Sequence, residues 1–543
     1  MTEPKAAPFR PAHFLPPDQA ERSRSLDPTR SFLVQAPAGS GKTYLLTQRF
    51  LKLLAQVEKP DEIVAITFTN AAAAEMRNRI LDALEKAEAS PYTGDDLECL
   101  PALATGALAQ SKRQGWQILD QPSQLRITTI DAFCRSLALQ SPLSWGILSG
   151  LGGSLDMFEN PDALYRRAAR RTLDLLSTED SPARRAIEEV LLWRDNNWRD
   201  VEDLVVEMLA GRNRWYQDFV FARNENWEAL RKRLEAPFQR AARRRLESLW
   251  RFLDELPGFI EFALSLARFA CETPGKQSPL SLAERADLPI AFTTDEETDE
   301  ALFLEDALEA YRCLACFLLT KDGVWRKKGG LNVHGGFPTT PAGKTGKERF
   351  GAFVESLAEI PGLHSTLAAF KEPMPLRYTE DEWRLVQHCF TVLRNAAVEL
   401  QMVFAETGSV DFIEVAQIAL RILAPENGFP SDFAIRQADS IRHLLIDEFQ
   451  DTSRNQHQLL ARLIAAWPER EGRSCFCVGD PMQSIYGFRD AEVELFERLK
   501  THGLDTSSDP FSEPFQFEFI SLRANFRTVP SLVNDLNRRI KLQ

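Results

Sequence analysis

Residues 36–43 have the residue types and spacing best suited to binding phosphate groups. They read Ala-Pro-Ala-Gly-Ser-Gly-Lys-Thr, follow a short apolar run at 31–35 and precede an amphipathic stretch. Small residues let backbone N–H groups surround phosphate oxygens at the start of a helix, while Lys42 neutralises phosphate charge and Thr43 offers a hydroxyl to Mg²⁺. The pattern predicts a Walker A loop for ATP and Mg²⁺, formed by Ala36, Pro37, Ala38, Gly39, Ser40, Gly41, Lys42 and Thr43.

A second Gly-Lys-Thr triplet lies at Gly343-Lys344-Thr345. Pro338 occupies the position of the leading small residue, and no apolar strand precedes the triplet. Because the motif needs a strand before it and a helix after it, we expect these residues to form a loop without nucleotide chemistry.

Two carboxylates end the apolar run Leu444-Leu445-Ile446-Asp447-Glu448. In a Walker B element, Asp447 holds Mg²⁺ through water and Glu448 acts as general base on the attacking water. An isolated Asp-Glu pair is more often a solvated strand end, so the assignment depends on its surroundings.

The elements that must position these groups alternate between strands and helices. Apolar strand candidates lie at 31–35, 62–68, 125–130, 443–446, 474–478 and 517–521, and residues 155–420 are mostly helical in pattern. The fold class predicted is α/β, a P-loop RecA-like parallel sheet with a large, mostly helical inserted domain. Thr43 and Asp447 must meet at one Mg²⁺, so the strands at 31–35 and 443–446 are expected to share a sheet.

Composition indicates a globular protein. The 543 residues are 44% hydrophobic and 26% charged, with a net charge of −13. The negative charge argues against coating nucleic acid by bulk attraction, but it allows one strand to be held in a local groove. No apolar run approaches the roughly 18 residues of a membrane span, and the eight cysteines are scattered, so we expect a cytoplasmic protein without membrane contact.

Further segments give the two nucleotide motifs a family context. Asp447-Glu448-Phe449-Gln450-Asp451 resembles the D-E-x-Q-D motif of UvrD-like superfamily 1 DNA helicases. Other family motifs have counterparts in the same order along the chain: the Q motif at Gln19, motif Ia at 67–76, motif III at 479–489 and motif IV at 522–528. The chain thus resembles the N-terminal portion of the UvrD and RecB/AddA enzymes.

The resemblance implies a role for each matching position. Gln19 contacts adenine, Tyr44 lies near it and Phe526 stacks on it. Gln483 senses the γ-phosphate, and Arg527 acts as an arginine finger. The implied DNA-binding residues, which grip a single strand partly by stacking on its bases, are Phe68, Thr69, Asn70, Tyr486, Phe488 and Arg489.

This sequence departs from the family pattern at three positions. Ala71 and Met482 stand where the family often has lysine, and Tyr44 stands where many members have arginine. Two cations near DNA or phosphate are therefore missing, which predicts modest DNA affinity. Residues 129–134, Thr-Ile-Asp-Ala-Phe-Cys, and the long helical block favour the RecB/AddA branch over the simple UvrD/Rep branch.

Four segments are expected. Residues 1–154 and 425–510 form motor domain 1A, 155–424 form a 1B-like helical insertion, and 511–543 begin a second motor domain, 2A. Motifs V and VI are absent from the sequence, so we expect a fragment that binds Mg-ATP and hydrolyses it slowly.

The function implied is an ATP-dependent 3′→5′ DNA helicase or translocase in repair and recombination. Its implied partners are single-stranded or duplex DNA and a second subunit of a helicase–nuclease complex. The alternative is a non-catalytic nucleotide- or DNA-binding scaffold, or a decayed helicase subunit, within a larger complex.

Overall fold

A computed structural model describes most of the chain. The described residues are 16–141, 156–158, 160–178, 180–215, 227–272, 280–292, 300–426, 429–467, 472–484, 493–506, 513–528 and 538. Contacts divide them into two compact units, one comprising residues of 1–178, 197–221 and 393–543, the other of 179–196 and 222–392. We call them the sheet unit and the helical unit.

A six-stranded parallel sheet forms the centre of the sheet unit, in the order β3-β2-β6-β7-β1-β8. Its strands are β1 (Phe32–Gln35), β2 (Ile63–Thr67), β3 (Arg126–Thr129), β6 (His443–Ile446), β7 (Ser474–Gly479) and β8 (Glu518–Ser521). Two further strands, β4 (Asp156–Met157) and β5 (Ser409–Val410), form a separate parallel pair. The predicted α/β class with a parallel sheet is confirmed.

The register of this sheet aligns the strand ends that carry the motifs. Gln35 pairs with Gly479 between β1 and β7, and Ile66 pairs with Ile446 between β2 and β6. Both faces of the central strands are covered, which explains why β2, β6 and β7 are buried along their whole lengths. Residues 36–43, 447–451 and 480–484 therefore leave the same edge of the sheet.

Strand β8 corrects one of the expected domain assignments. It pairs in parallel with β1 from Phe32↔Glu518 to Gln35↔Ser521, and Ile520 joins the apolar core of the sheet unit. Residues from 511 onward were expected to begin a second motor domain. That assignment is wrong for residues 518–521, because an apolar strand beside β1 completes the first sheet.

Eleven described helices belong wholly to the sheet unit. They are α1 (Gln19–Ser25), α2 (Lys42–Leu54), α3 (Asn70–Ala89), α4 (Leu100–Gln114), α5 (Ile130–Leu139), α6 (Asp162–Asp174), α8 (Trp198–Ala210), α16 (Phe412–Ile422), α17 (Asp432–Ser440), α18 (Arg454–Ala465) and α19 (Val493–His502). Helices α2, α3 and α4 pack on one another and share a mainly aliphatic core with the strands. This core fixes the start of α2, and with it the predicted phosphate loop, against β1.

Arg49 anchors α2 from behind the loop. Its side chain is fully buried, and burial lowers the pKa of the guanidinium to about 9. It donates to the backbone carbonyls of Ser25 and Arg30 and to the hydroxyl of Ser474 on β7. Its guanidinium carbon also lies 5.6 Å and 5.3 Å from the centres of the Phe32 and Phe476 rings. The segment entering β1 is thereby tied to α2 and to β7.

The helical unit has its own core. It contains α7 (Pro182–Trp193), α9 (Trp227–Asp254), α10 (Phe259–Glu272), α11 (Leu280–Ala283), α12 (Glu300–Leu318), α13 (Pro341–Ala358), α14 (Leu363–Ala369) and the first residues of α15 (Glu380–Thr407). Aromatic side chains such as Tyr311, Phe350 and Phe370 fill its centre. Because α6 and α8 cluster with the sheet unit, the helical unit contains fewer residues than the insertion expected at 155–424.

The second Gly-Lys-Thr triplet lies inside α13, so the expectation of a loop there is wrong. Thr340 caps this helix, Pro341 occupies its first turn, and a proline is well accommodated there because that N–H has no intrahelical partner.

Among the described residues, none of the helices combines the length and apolarity that crossing a bilayer requires.

Candidate nucleotide-binding site

The loop between β1 and α2 has the backbone of a phosphate cradle. Gly39 and Gly41 have φ angles of +78° and +82°, a region that glycine enters without steric cost. Ala36 N–H donates to Gly479 O at 2.9 Å, which holds the loop's first residue to the end of β7. In the described structure no side chain caps the start of α2 at Gly41, so the first-turn amides there are available to an anion.

Lys42 and Glu448 meet although 406 positions separate them. The Lys42 Nζ atom lies 2.8 Å from Glu448 Oε2, and both side chains are partly buried. The predicted phosphate-binding lysine and the predicted general base therefore share one site at the sheet edge. Each charge neutralises the other in this ion pair.

The backbone at Glu448, where the side chain meets Lys42, has an unusual conformation. Glu448 has φ +50° and ψ +46°, the left-handed region, which a non-glycine side chain occupies at a cost of about 1–3 kcal/mol. Such strain concentrates at functional sites, where the surrounding structure holds it in place. Asp447, immediately before it, is fixed by its N–H donating to Ile66 O at 2.9 Å.

Asp447 has an environment suited to holding a cation. Burial and the adjacent Glu448 raise the pKa of its carboxyl to about 6, although Lys42 acts in the opposite direction. A divalent cation would relieve this unfavourable concentration of negative charge.

Gln450 links the carboxylate motif to β7, a role that the motif pattern alone did not assign. Its Nε2 donates to Glu448 Oε2 at 2.8 Å, and its Oε1 accepts from Asp480 N–H at 2.8 Å. A Cβ on Gly479 would stand 2.5 Å from Gln450 Oε1 and 3.1 Å from Gln450 N, so this approach requires glycine. Glu448 is thus oriented by a side chain that also contacts the start of motif III.

Gln483 lies just beyond this link and is held by its own segment. Its Nε2 donates to Asp480 Oδ2, and its N–H donates to Asp480 O at 2.9 Å. Asp480 Oδ1 accepts from the N–H of Met482 at 3.1 Å. The predicted γ-phosphate sensor is therefore tied to Asp480, the residue that Gln450 contacts.

The segment after β8 folds over the glycine loop. Phe526 N–H donates to Gly39 O at 2.7 Å, and a Cβ on Gly39 would stand 2.7 Å from Arg527 Cβ. Asn525 Oδ1 accepts from the N–H groups of Arg527 and Thr528, which makes the turn rigid. Phe526 is 58% exposed, so much of its ring is open to a ligand.

Two predicted adenine contacts fall in different surroundings. Gln19 opens α1, but it is Arg22 of this helix that contacts the loop, by donating to Ser40 O, while Asp18 just before the helix accepts from Arg523 N–H after β8. Tyr44 is 45% exposed and lines a cavity of about 420 Å³ with residues of α2, α3 and α4. Burial raises the pKa of its phenol.

The predicted DNA-binding residues are only partly described. Phe68 is half-buried just after β2, while Thr69 caps α3 by accepting from Ala72 N–H and Asn70 is the exposed first residue of that helix. Tyr486, Phe488 and Arg489 lie outside the described residues.

The residues of the cradle fit a magnesium–nucleotide complex. Within the described chain, the buried Ser40 Oγ has no hydrogen-bond partner, and Gly39 leaves no room for a side chain beneath Asn525 and Arg527. Lys42 would hold the β- and γ-phosphates, and Thr43 and Asp447 would hold Mg²⁺.

Comparison with known proteins agrees with this geometry. The sequence matches the UvrD/REP helicase N-terminal domain over residues 16–235 and 367–502. It is 26% identical to an ATP-dependent helicase/nuclease subunit from Lysinibacillus sphaericus over 93% of this chain and 38% of that protein. The proteins of the same name from Anoxybacillus flavithermus and Bacillus cereus are 26% and 27% identical, each over 86% of this chain and 36% and 35% of their own lengths.

The chain spans little more than a third of the length of these relatives. The expected resemblance to RecB/AddA proteins is confirmed by the relatives' names and by the family match. From the motifs, the sheet-edge geometry and these similarities, the chain belongs to the UvrD/REP helicase family.

Proposed function

We propose that this chain is the ATP-binding part of an ATP-dependent DNA helicase or translocase that moves 3′→5′ along single-stranded DNA in repair and recombination. The observation that carries the proposal is the 2.8 Å contact between Lys42 and Glu448. This contact brings together, from positions 406 residues apart, a lysine and a carboxylate that the proposed ATPase site requires. The names of the helicase/nuclease relatives support the helicase assignment.

Nucleotide binding would rearrange the charges at the sheet edge. In the bound complex Lys42 would face the β- and γ-phosphates, and Thr43 and Asp447 would hold Mg²⁺, which would supply positive charge against the transferred phosphoryl group. Glu448 is then free to accept a proton from the attacking water. Gln450 keeps the carboxylate oriented through its bond to Oε2. Arg527 would supply positive charge from across the loop.

Coupling to DNA would run through Gln450 and Asp480. Gln450 contacts Glu448 on one side and Asp480 N–H on the other, and Asp480 holds Gln483. A change at the γ-phosphate can therefore shift the segment that leads to Tyr486, Phe488 and Arg489. These residues, with Phe68, Thr69 and Asn70, are proposed to contact the strand, the aromatic ones by stacking on bases.

The remaining assignments belong to the same proposal. Residues 1–154 and 425–510, together with strand β8, act as motor domain 1A, and 155–424 as a 1B-like insertion, with Gln19 and Tyr44 near the adenine. A second subunit of a helicase–nuclease complex and duplex DNA are proposed partners, and the cytoplasm is the proposed location.

The experiment is a comparison of ATP hydrolysis and DNA binding in matched variants. Glu448→Gln is expected to lower Mg-ATP turnover by about 10²- to 10⁴-fold while nucleotide affinity is kept, because the amide keeps the shape of the side chain but cannot act as general base. Glu309→Gln, which removes an exposed carboxylate from the helical unit, should leave turnover unchanged. Equal turnover in Glu448→Gln and the parent would refute the site.

DNA binding is tested in the same preparation with an oligo-dT strand at one fixed salt concentration. Phe488→Ala should weaken binding by about tenfold and leave nucleotide affinity unchanged, because only a stacking contact is lost. A parent that binds neither Mg-ATP nor oligo-dT would contradict the helicase proposal and its scaffold alternative together. Nucleotide binding without any turnover would favour the scaffold.

A further inference from the structure

Asp18, just before α1, accepts more hydrogen bonds than a helix cap requires. It is 2% exposed. One carboxylate accepts from Arg22 Nε at 2.7 Å and Nη2 at 3.2 Å, and from the backbone N–H groups of Arg523 and Ala524 at 2.6 and 2.8 Å. Burial opposes its charge, but these hydrogen bonds outweigh burial and lower the pKa of Asp18. Asp18 thus ties α1 to the segment that follows β8.

Arg22 extends this connection to the phosphate loop. Its Nη2 donates to Ser40 O at 2.7 Å, and its guanidinium carbon lies 5.2 Å from the centre of the Phe526 ring. The Phe526 ring also lies 3.5 Å, an ordinary van der Waals contact, from where a Cβ on Gly41 would stand. Arg22 and Gly41 therefore support Phe526, which still exposes 58% of its surface.

We propose that Asp18 and Arg22 are positioning residues that hold the Phe526 ring at a fixed distance from the phosphate loop, so that it can receive a purine base. The inference rests on the proposed ATP-binding function. A guanidinium held by a buried carboxylate cannot rotate away, and a cation against an aromatic ring is attracted to its π-face. The pair acts on base affinity and does not take part in phosphoryl transfer.

Arg22→Lys is the most informative variant. Lysine keeps the charge and can still reach one acceptor, but it loses the planar fork that joins Asp18, Ser40 and Phe526. Arg24→Ala is the matched control, because Arg24 lies on the same helix and pairs with Glu518 on β8 at 2.8 Å, away from the loop. The measurements are binding of fluorescent ATP, binding of inorganic tripolyphosphate, and steady-state turnover of the full chain.

Arg22→Lys should weaken ATP binding and raise KM by about tenfold, change kcat by less than about twofold and leave tripolyphosphate binding unchanged. Arg24→Ala should match the parent in all of them. Because Arg22 acts through Phe526, Arg22→Lys combined with Phe526→Ala should bind ATP no more weakly than Phe526→Ala alone.

Three results would overturn the inference: unchanged ATP affinity in Arg22→Lys, an equal loss of tripolyphosphate binding, or additive effects in the double variant. If the parent binds ATP and any of these occurs, only the positioning role fails. If the parent does not bind ATP, the proposed function fails and the inference fails with it.

Discussion

The same three residues, Gly-Lys-Thr, occur in both units and are built into opposite environments. At Gly41-Lys42-Thr43 a buried strand ends in a loop with two glycines at positive φ, and no side chain caps α2 among the described residues. At Gly343-Lys344-Thr345 the triplet lies within α13, and the Thr340 hydroxyl accepts from Gly343 N–H at 3.2 Å. The first-turn amides of α2 are therefore available to a ligand, whereas an amide of the first turn of α13 is bonded to the Thr340 cap.

The glycines differ for the same reason. Gly41 provides a left-handed backbone angle, whereas a Cβ on Gly343 would stand 2.1 Å from Pro338 O and one on Gly346 would stand 2.3 Å from Phe269. In the helical unit, glycine therefore permits close packing; in the sheet unit it permits a phosphate cradle. A triplet alone does not define a nucleotide site, since the preceding strand and the free amides decide its role.

The largest expected effect is on Mg-ATP affinity, and it should distinguish Lys42 from Lys344. Lys42→Ala should weaken Mg-ATP binding by at least about a hundredfold, because it removes the cation that faces the β- and γ-phosphates. Lys344→Ala should bind Mg-ATP as the parent does. Titration with a fluorescent ATP analogue checks both variants, and equal losses in the two would remove the distinction drawn between the triplets.

A smaller effect, on stability and ATP turnover, is expected where Gln450 of the D-E-x-Q-D motif contacts Gly479 of motif III. Gly479→Ala places a methyl group against Gln450 and should destabilise the protein by about 1–3 kcal/mol, as overpacking usually does. It should also slow ATP turnover, because Gln450 orients Glu448. Gly329→Ala, whose added Cβ meets nothing within 4 Å, is the control. Denaturant unfolding and turnover measure the pair; a Gly479→Ala protein as stable and active as the control would show that Gln450 adapts freely.

The smallest expected effect is the pH dependence of stability, and it comes from two histidines of the sheet unit. Burial lowers the pKa of His443 to about 3 and that of His457 to about 4, both below the ordinary value of 6.5. Below about pH 6.5 the unfolded chain binds protons that the folded chain refuses, so stability is present above that pH and falls as pH decreases. Each histidine contributes up to about 1.4 kcal/mol per pH unit.

His443→Gln and His457→Gln should therefore each flatten the loss of stability between pH 6.5 and 4.5, as followed by denaturant unfolding. The slope, rather than the stability at a single pH, is the quantity to compare. Slopes identical to that of the parent would mean that these imidazoles become protonated in the folded protein.

The sequence was sufficient to predict which motifs meet at one edge of the sheet, because each motif is formed by neighbouring residues. Strand, glycine loop and helix follow one another within about twenty residues at 31–54, and the run ending at Asp447-Glu448 is equally compact. Contacts between distant segments that carry no motif were not predictable in this way. Asp18 reaches the amide of Arg523, 505 positions away, and Arg212 is buried against Asp411 with Nη2 2.6 Å from Oδ1.

The misassigned elements follow the same rule. Strand β8 looked like the start of another domain because nothing in residues 517–521 specifies its partner strand; only pairing with β1 does. The helix at 341–358 was missed because its glycines and proline suggest a loop, whereas the Thr340 cap and the tolerance of proline in a first turn allow a helix. The partner strand of β8 depends on tertiary packing, whereas the helix at 341–358 depends on a local cap that was overlooked.

We propose that Thr43 and Asp447, about 400 positions apart, hold one metal ion on one nucleotide. Mn²⁺ retained by the protein in the presence of ATP, measured by equilibrium dialysis, tests it most directly. Asp447→Asn and Thr43→Ala should each weaken Mn²⁺ retention by at least about tenfold, while metal-free ATP binding persists through Lys42. Retention equal to that of the parent in both variants would contradict the claim.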